Sequence, residues 1–306
     1  MGEGARLLSG GSPARRREGL GAADRRCPHR CPRGRRPADA GERPGEHGPA
    51  GRAWGTFTVK ARPAAVLFDL FDTLVDFERD RLPLVTVAGK EIRTTSAAAH
   101  AALRQAYPAI SLEEFYEAFV ESFREVNEIR DREGIEVTAA ERFARCFARL
   151  GLPEVEATAS VREAALEAHM GALAAATTAP PERRAVVRAL GSRFRLGLVS
   201  NFDHGATARA VLARHGFDGA FEVTVISADV GFRKPHPEIF HRACRALRIA
   251  PAEALFVGDS LRVDIAGARG VGMPCVWVNR EGARLGAGDP QPDHTIGHLP
   301  DLLSLV

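Results

Sequence analysis

The sequence predicts an α/β protein: a parallel sheet with a block of helices inserted after its first strand. Three observations lead there. Five short apolar runs, at residues 64–68, 196–199, 223–226, 255–257 and 275–278, have the length and unbroken hydrophobicity of strands buried on both faces. Stretches with apolar residues at helical spacing, at 207–215, 238–247 and 263–269, separate the later runs, and strands that alternate with helices build parallel sheets. Between the first run and the second, residues 96–176 read as helix after helix.

The inserted block has its own order. Residues 84–87 and 91–93 flank Ala88-Gly89-Lys90 and predict a small hairpin turning at Gly89. Residues 112–132 carry Phe115, Phe119 and Phe123 at i, i+4 and i+8, and residues 139–150 carry Phe143, Cys146, Phe147 and Leu150. Phenylalanines at that spacing form helix cores, so all are read as packing. Residues 155–175 are rich in Ala and Glu and form the last predicted helix. No internal repeat is evident.

Composition bounds the function. The 306 residues are 45% hydrophobic and 26% charged, ordinary for a globular chain. No run reaches the roughly eighteen apolar residues of a membrane span, so no membrane role is expected. The net charge of +3 is unevenly spread: residues 1–58 hold 12 Arg and no Lys against 6 acidic residues, while the remainder holds 30 basic and 33 acidic residues. The basic excess is therefore outside the folded part, which argues against a nucleic-acid partner. Residues 1–58 also contain 12 Gly and 6 Pro without hydrophobic periodicity, a composition that predicts disorder. Three readings of that segment compete: a basic tail for an acidic partner, a targeting peptide, or a mis-assigned start, with translation beginning at a GTG codon for Val59. Leu7-Leu8 makes no secretory core, and the acidic residues fit a transit peptide poorly. Mass spectrometry of the native N-terminus separates the readings, and a mature chain beginning at Met1 removes the third. The five cysteines, Cys27, Cys31, Cys146, Cys244 and Cys275, are odd in number and scattered, which predicts free thiols in a reducing compartment, the cytoplasm. Cys27, His29 and Cys31 offer three zinc ligands at most, with no second pair, and no zinc site is expected there.

The chemistry is concentrated at the ends of predicted strands, where sites form in doubly wound sheets. The first ends in Asp69-Leu70-Phe71-Asp72-Thr73 and the second in Ser200-Asn201. A third segment leads through Gly231-Phe232-Arg233 to Lys234-Pro235, and the fourth ends in Gly258-Asp259-Ser260 with Asp264 five residues after Asp259. Each has a bland reading alone: Asp69 as a turn residue, Ser200-Asn201 as a helix cap, Lys234 as a solvated side chain, Asp264 on an exposed helix face. Together, a carboxylate nucleophile, a hydroxyl, a lysine and an acidic pair are what phosphoryl transfer through an aspartyl intermediate requires.

These residues, in this order, resemble the haloacid dehalogenase-like (HAD) hydrolase superfamily, of the capped subfamily I type. Its first motif, Asp-x-Asp-x-Thr after a strand, is matched by Asp69, Phe71 and Thr73; its second by Ser200; its third by Lys234; and its fourth, Gly-Asp-x-x-x-x-Asp, by Asp259 and Asp264. The resemblance covers roughly residues 62–280. It implies a Rossmann-like core at 59–78 and 178–306 and a helical cap with a small hairpin at its start at 79–177. It implies that Asp69 attacks, that Thr73, Ser200 and Lys234 position the phosphate, and that Asn201 contacts substrate or supports its loop. Mg2+ would be held by Asp69, Asp259, Asp264 and the backbone carbonyl of Phe71. The expected substrate is a small phosphorylated metabolite. Specificity in the family lies in the cap, where Arg79, Arg81, Arg93, Tyr116, Asn127 and Arg130 are candidate contacts.

The chain departs from the family at Phe71. Phosphatases of this family keep an Asp there, which protonates the leaving group and later activates water, a role worth about 10²–10⁴ in rate. Asp72 is adjacent but points the other way on an extended segment. The 2-haloacid dehalogenases carry an aromatic at this position, because halide needs no proton, but they depart from the fourth motif that this chain keeps. The phosphonate-cleaving branch needs a cap lysine, and the only one is Lys90, in the hairpin. The sequence thus favours a magnesium-dependent phosphatase over a dehalogenase-type hydrolase or a non-catalytic phosphate-binding protein. Asp203 and His204, next to Ser200-Asn201, are candidates for the missing acid–base function, with a helix cap as the alternative for Asp203.

Overall fold

The computed structural model describes residues 62–306; the expectations for residues 1–58 lie outside the described residues. In chain order, β1 (Ala65–Phe68) is followed by β2 (Asp76–Phe77), the hairpin strands β3 (Leu84–Val87) and β4 (Lys90–Arg93), and four helices: α1 (Ser96–Leu103), α2 (Leu112–Glu133), α3 (Ala139–Arg149) and α4 (Glu156–Ala175). The strand β5 (Thr177–Thr178) then pairs antiparallel with β2, so a two-stranded stem closes the helical insert. The chain continues through α5 (Pro181–Gly191), β6 (Arg195–Ser200), α6 (Gly205–Arg214), β7 (Val223–Ile226), α7 (Ser227–Val230), α8 (Pro237–Leu247), β8 (Ala254–Gly258), α9 (Ala266–Gly270), β9 (Cys275–Val278) and β10 (His294–Ile296).

The main sheet is parallel throughout, in the order β10-β9-β8-β1-β6-β7. This is the Rossmann-like α/β sheet the sequence predicts. Strand β1 is central, with Val66 between Leu196 and Leu255, and all four of its residues are buried. From β1 the chain builds outward through β6 and β7, then crosses back to β8 on the other side. Strand order reverses at β1, and a crevice opens outside the carboxyl ends at such a point. One face of the sheet packs Val66, Phe68 and Leu198 against α5 and α6 through Val186, Leu190 and Val211; the other packs Leu67, Val199 and Phe256 against α8 through Ile239, Phe240 and Leu247.

Local signals account for the insert. Ala88 and Gly89, at φ 47° and 74°, make the two-residue turn of the β3–β4 hairpin, both central residues having positive φ. Ser111 with Glu114 and Thr138 with Glu141 form capping boxes that start α2 and α3. Phe115, Phe119, Phe143 and Phe147 form the insert's own core with Leu103, Leu166 and Met170. Phe123 departs from the packing reading: it is 48% exposed, with the Arg142 guanidinium 5.7 Å over its ring and its side chain lining a cavity. Two other differences matter. The edge strand β10 was not legible, being three residues after a Gly- and Pro-rich stretch. The helix predicted at 263–269 is instead a π-turn, Leu261–Ile265, followed by α9: the Ser260 carbonyl accepts from the amides of both Asp264 and Ile265. Cys146, Cys244 and Cys275 are buried and free. Among the described residues no helix is long and apolar enough to cross a membrane.

The fit around β6 is tight. A Cβ on Gly197 would lie 2.6 Å from Leu67 Cδ2 and 2.8 Å from Val223 Cγ1. Gly197→Ala is therefore expected to destabilise the protein by about 1–3 kcal/mol through overpacking, read as a lower midpoint in chemical denaturation; an unchanged midpoint would show that the sheet has slack here.

Candidate active site

The three strands at the reversal each deliver one functional residue. Asp69 follows β1, its amide donating to the Val257 carbonyl of β8 at 2.9 Å. Ser200 ends β6. Asp259 follows β8, its carbonyl accepting from Trp277 Nε1 at 2.7 Å. One carboxylate oxygen from each of Asp69, Asp259 and Asp264 lies within 4.8 Å of the other two. Lys234 reaches them from the loop after α7: Nζ donates to Asp69 Oδ1 at 2.5 Å and to the Val199 carbonyl at 2.8 Å, and it lies 2.7 Å from Asp264 Oδ1. Thr73 Oγ1 stands 3.5 Å from Asp259 Oδ1. Lys234 is 2% and Asp264 1% exposed, so neither is the solvated side chain its bland reading supposed.

Several local devices hold this arrangement. The Asn201 amide grips the backbone of Lys234 at both ends, accepting from its N–H at 2.7 Å and donating to its carbonyl at 2.9 Å. The π-turn swings Asp264 inward, where Oδ2 accepts from the Ser260 amide at 3.0 Å. Gly258 leaves room for it: a Cβ there would lie 2.5 Å from the Asp264 carboxyl carbon. Ser200 Oγ is buried without a hydrogen-bond partner among the described residues, a hydroxyl held ready for a ligand oxygen.

The charges are unbalanced. Three carboxylates meet one ammonium group in a dry crevice. Burial pushes Asp69 up to about 6, against the pull of Lys234, and Asp264 adds to the rise. Burial, with repulsion from Asp69 and Asp264, pushes Asp259 up to about 8. For Lys234, burial favours the neutral amine, but Asp264 and Asp69 outweigh it and hold the lysine above its ordinary range. Three hard oxygen donors with excess negative charge suit a divalent cation such as Mg2+, which would relieve the repulsion.

The described residues that follow Asp69 and Ser200 are engaged with partners of their own. The Phe71 ring packs on Phe202 with centroids 4.9 Å apart, and both line an apolar cavity of about 240 Å³ with Phe77, Leu173 and Val211. Asp72 has a positive φ of 60°; its Oδ1 lies 3.4 Å from Arg280 and 3.5 Å from the Phe77 amide. Asp203 neither caps α6 nor stands free: its carboxylate lies 3.0 Å from Arg130 and 3.7 Å from Arg142 of the insert. His204 Nδ1 is 2.8 Å from Thr207 Oγ1.

The insert and the sheet domain meet over the loops that carry Asn201 and Lys234. Residues 134–139 are stitched on by backbone hydrogen bonds: Glu136 to Gly231, Arg233 to Gly134 and Ala139 to Asp203. The buried Glu136 carboxylate accepts from Arg233 at 2.6 Å and Ser227 Oγ at 2.5 Å and pairs with Arg130 at 2.9 Å. Between the two parts is a cavity of about 600 Å³. Of the contacts expected from sequence, Arg79, Arg93, Tyr116, Asn127 and Arg130 line it, and Arg81 does not. Sequence reasoning missed Arg142, Arg233 and His169, which also line it. Arg142 is 2% exposed, with its guanidinium 5.0 Å over the Phe143 ring and 5.1 Å over that of Phe119. Its sequence signal was an arginine on the core stripe of α3. His169 sits between Thr95 and Arg142, and burial, with the charge of Arg142, holds it well below its usual range and neutral.

Comparison with known proteins agrees with this architecture. A family model described as haloacid dehalogenase-like hydrolase matches residues 63–272, and the chain belongs to that family. Among curated relatives, a glyceraldehyde 3-phosphate phosphatase of Pyrococcus abyssi is 39% identical over 98 residues, 32% of this chain and 41% of that protein. The chain thus spans well under two thirds of the length of such relatives. Among solved structures, a HAD phosphatase from Thermococcus onnurineus is 26% identical with a TM-score of 0.53, over 79% of this chain and 96% of that one. A 2-haloacid dehalogenase from Pseudomonas syringae is similar in fold, at 24% identity and a TM-score of 0.58, over 79% of this chain and 97% of that one.

The charge imbalance has a measurable consequence. A carboxyl whose folded pKa lies above its unfolded value costs stability as pH rises between the two, so metal-free protein loses stability through Asp259 as pH rises from about 4 to 8. Asp259→Asn is expected to stabilise the metal-free protein at pH 8 by on the order of 1 kcal/mol, roughly 2–4 °C in melting temperature. Mg2+ is expected to stabilise the unmodified protein, and Asp259→Asn is expected to remove that effect. A variant melting below the unmodified protein without metal would contradict the account.

Proposed function

We propose that the protein is a magnesium-dependent phosphatase of a small phosphorylated metabolite, working through an aspartyl-phosphate on Asp69. The observation that carries this reading is the convergence of Asp69, Lys234 and the buried Ser200 hydroxyl, unpartnered among the described residues, with Asp259 and Asp264 in one crevice. Asp69, Asp259, Asp264 and the backbone carbonyl of Phe71 would hold the cation, which when bound offsets the repulsion between carboxylate and phosphate. Lys234 holds Asp69 Oδ1 and leaves the second carboxylate oxygen to approach phosphorus. Ser200 Oγ, Thr73 Oγ1 and Lys234 Nζ supply donors to the transferring group's oxygens. The helical insert acts as a cap whose arginine-lined cavity suits an anionic substrate, and the named activity of the Pyrococcus relative is of the same class. The free buried thiols suit the cytoplasm.

A haloacid dehalogenase is the second reading, and Phe71 is what favours it. It gives no role to the Asp259–Asp264 pair, so phosphate chemistry is preferred. A screen with and without Mg2+ decides. Phosphate release should require Mg2+, stop with chelator, and fall by at least about a thousandfold in Asp69→Asn. Halide release from 2-chloropropionate in chelator would establish the other reading, and full phosphatase activity in Asp69→Asn would remove the nucleophile assignment.

A further inference from the structure

Resting on the reading of Asp69 as phosphoryl acceptor, we infer that the substrate's leaving group departs as an anion: the natural substrate is an acyl phosphate or phosphoanhydride, not the phosphate ester of an ordinary alcohol. Two independent observations lead there.

The first is that, among the described residues, the side chains near Asp69 that could donate a proton have other partners. Phe71 stands where a donor would, its ring packed against Phe202. Asp72 Oδ1 lies 3.4 Å from Arg280. Asp203 is held by Arg130 and Arg142. His204 has Nδ1 on Thr207 Oγ1, and His169 has both ring nitrogens engaged by Thr95 and Arg142. Lys234 is bound to Asp69 and Asp264, and the two remaining carboxylates belong to the cation cluster. An alkoxide leaving without a proton is a poor leaving group, and general acid catalysis supplies about 10²–10⁴ in such reactions. A carboxylate or phosphate leaves at neutral pH with no proton at all.

The second is where the departing group would go. The cavity of about 600 Å³ is lined by Asn201 and Arg233, the sequence neighbours of Ser200 and Lys234, and by Arg79, Arg93, Arg130 and Arg142. Glu136, Asp203 and Asp80 offset three of the five arginine charges, and the excess remains positive. Such a lining stabilises negative charge developing on a leaving oxygen, which replaces protonation by electrostatics.

The step balances without an added acid. An Asp69 carboxylate oxygen forms a bond to phosphorus as the bond from phosphorus to the leaving oxygen breaks. The electron pair stays on that oxygen, and a carboxylate or phosphate anion is released. Water then attacks the phosphorus, the bond to Asp69 breaks, and the water's protons end on inorganic phosphate and solvent.

The test is a leaving-group series on the magnesium-loaded protein: 2,4-dinitrophenyl, 4-nitrophenyl and phenyl phosphate in order of rising leaving-group pKa, with acetyl phosphate and glycerol phosphate as the acyl and alkyl extremes. Turnover should fall by at least about a hundredfold from the dinitrophenyl to the phenyl ester, with acetyl phosphate cleaved and glycerol phosphate nearly inert. Phe71→Asp should raise the phenyl-to-dinitrophenyl rate ratio at least about tenfold. A flat series overturns the inference and leaves the phosphatase reading standing. No turnover of any member overturns both. Should Phe71→Asp fail to fold, the series on the unmodified protein decides alone.

Discussion

Three carboxylates share one ammonium group at the carboxyl ends of β1 and β8, and that imbalance organises the site. Lys234 can reach Asp69 and Asp264 together only because Asn201 fixes its backbone and the π-turn folds Asp264 over Gly258. The arrangement is costly: burial and mutual repulsion drive Asp69 and Asp259 upward, and a single lysine does not cancel the excess. A crevice that keeps such a group of charges suits a cation and an anion together, and this electrostatic demand supports the proposed phosphatase reading.

The strand ends were legible in the sequence because their signal is local. An apolar run that stops at Asp69, Ser200 or Asp259 marks both a buried strand and the side chain at its carboxyl end. What the sequence could not show depends on distant contacts. Asp203 looked like a cap or an acid, but its partners, Arg130 and Arg142, come from 73 and 61 residues away in sequence. Phe123 shares the periodicity of Phe115 and Phe119, yet it lines a cavity beside Arg142 and is half exposed. Arg142 occupies a core position of α3 because three phenylalanine rings can pack on its guanidinium, which periodicity alone reads as an interruption. The strand β10 has three residues and carried too little pattern to be read.

The insert and the sheet are joined by the β2–β5 stem and by the backbone stitching of residues 134–139 to Gly231, Arg233 and Asp203. Asp76 in the stem is gripped by Arg183 at 2.9 and 3.0 Å and also by Arg280. Glu136 sits where the second contact is strongest, satisfied by two arginines and Ser227. The loops that carry Lys234 and Asn201 therefore contact both parts, and any movement of the insert is felt at the residues that hold the nucleophile's partner.

Phe71 sets the limit on this chemistry. In the proposed mechanism it leaves the nucleophile, the hydroxyls and the cation ligands in place and removes only the proton shuttle, so the reaction would be decided by what the leaving group can do unaided. The central claim is that the phosphoryl group passes through Asp69. Rapid quenching of the magnesium-loaded protein with acetyl phosphate, followed by peptide mapping by mass spectrometry, tests it directly. The account predicts a hydroxylamine-labile phosphoryl group on the peptide containing Asp69. Phosphate release with a phosphoryl group on another residue would contradict it.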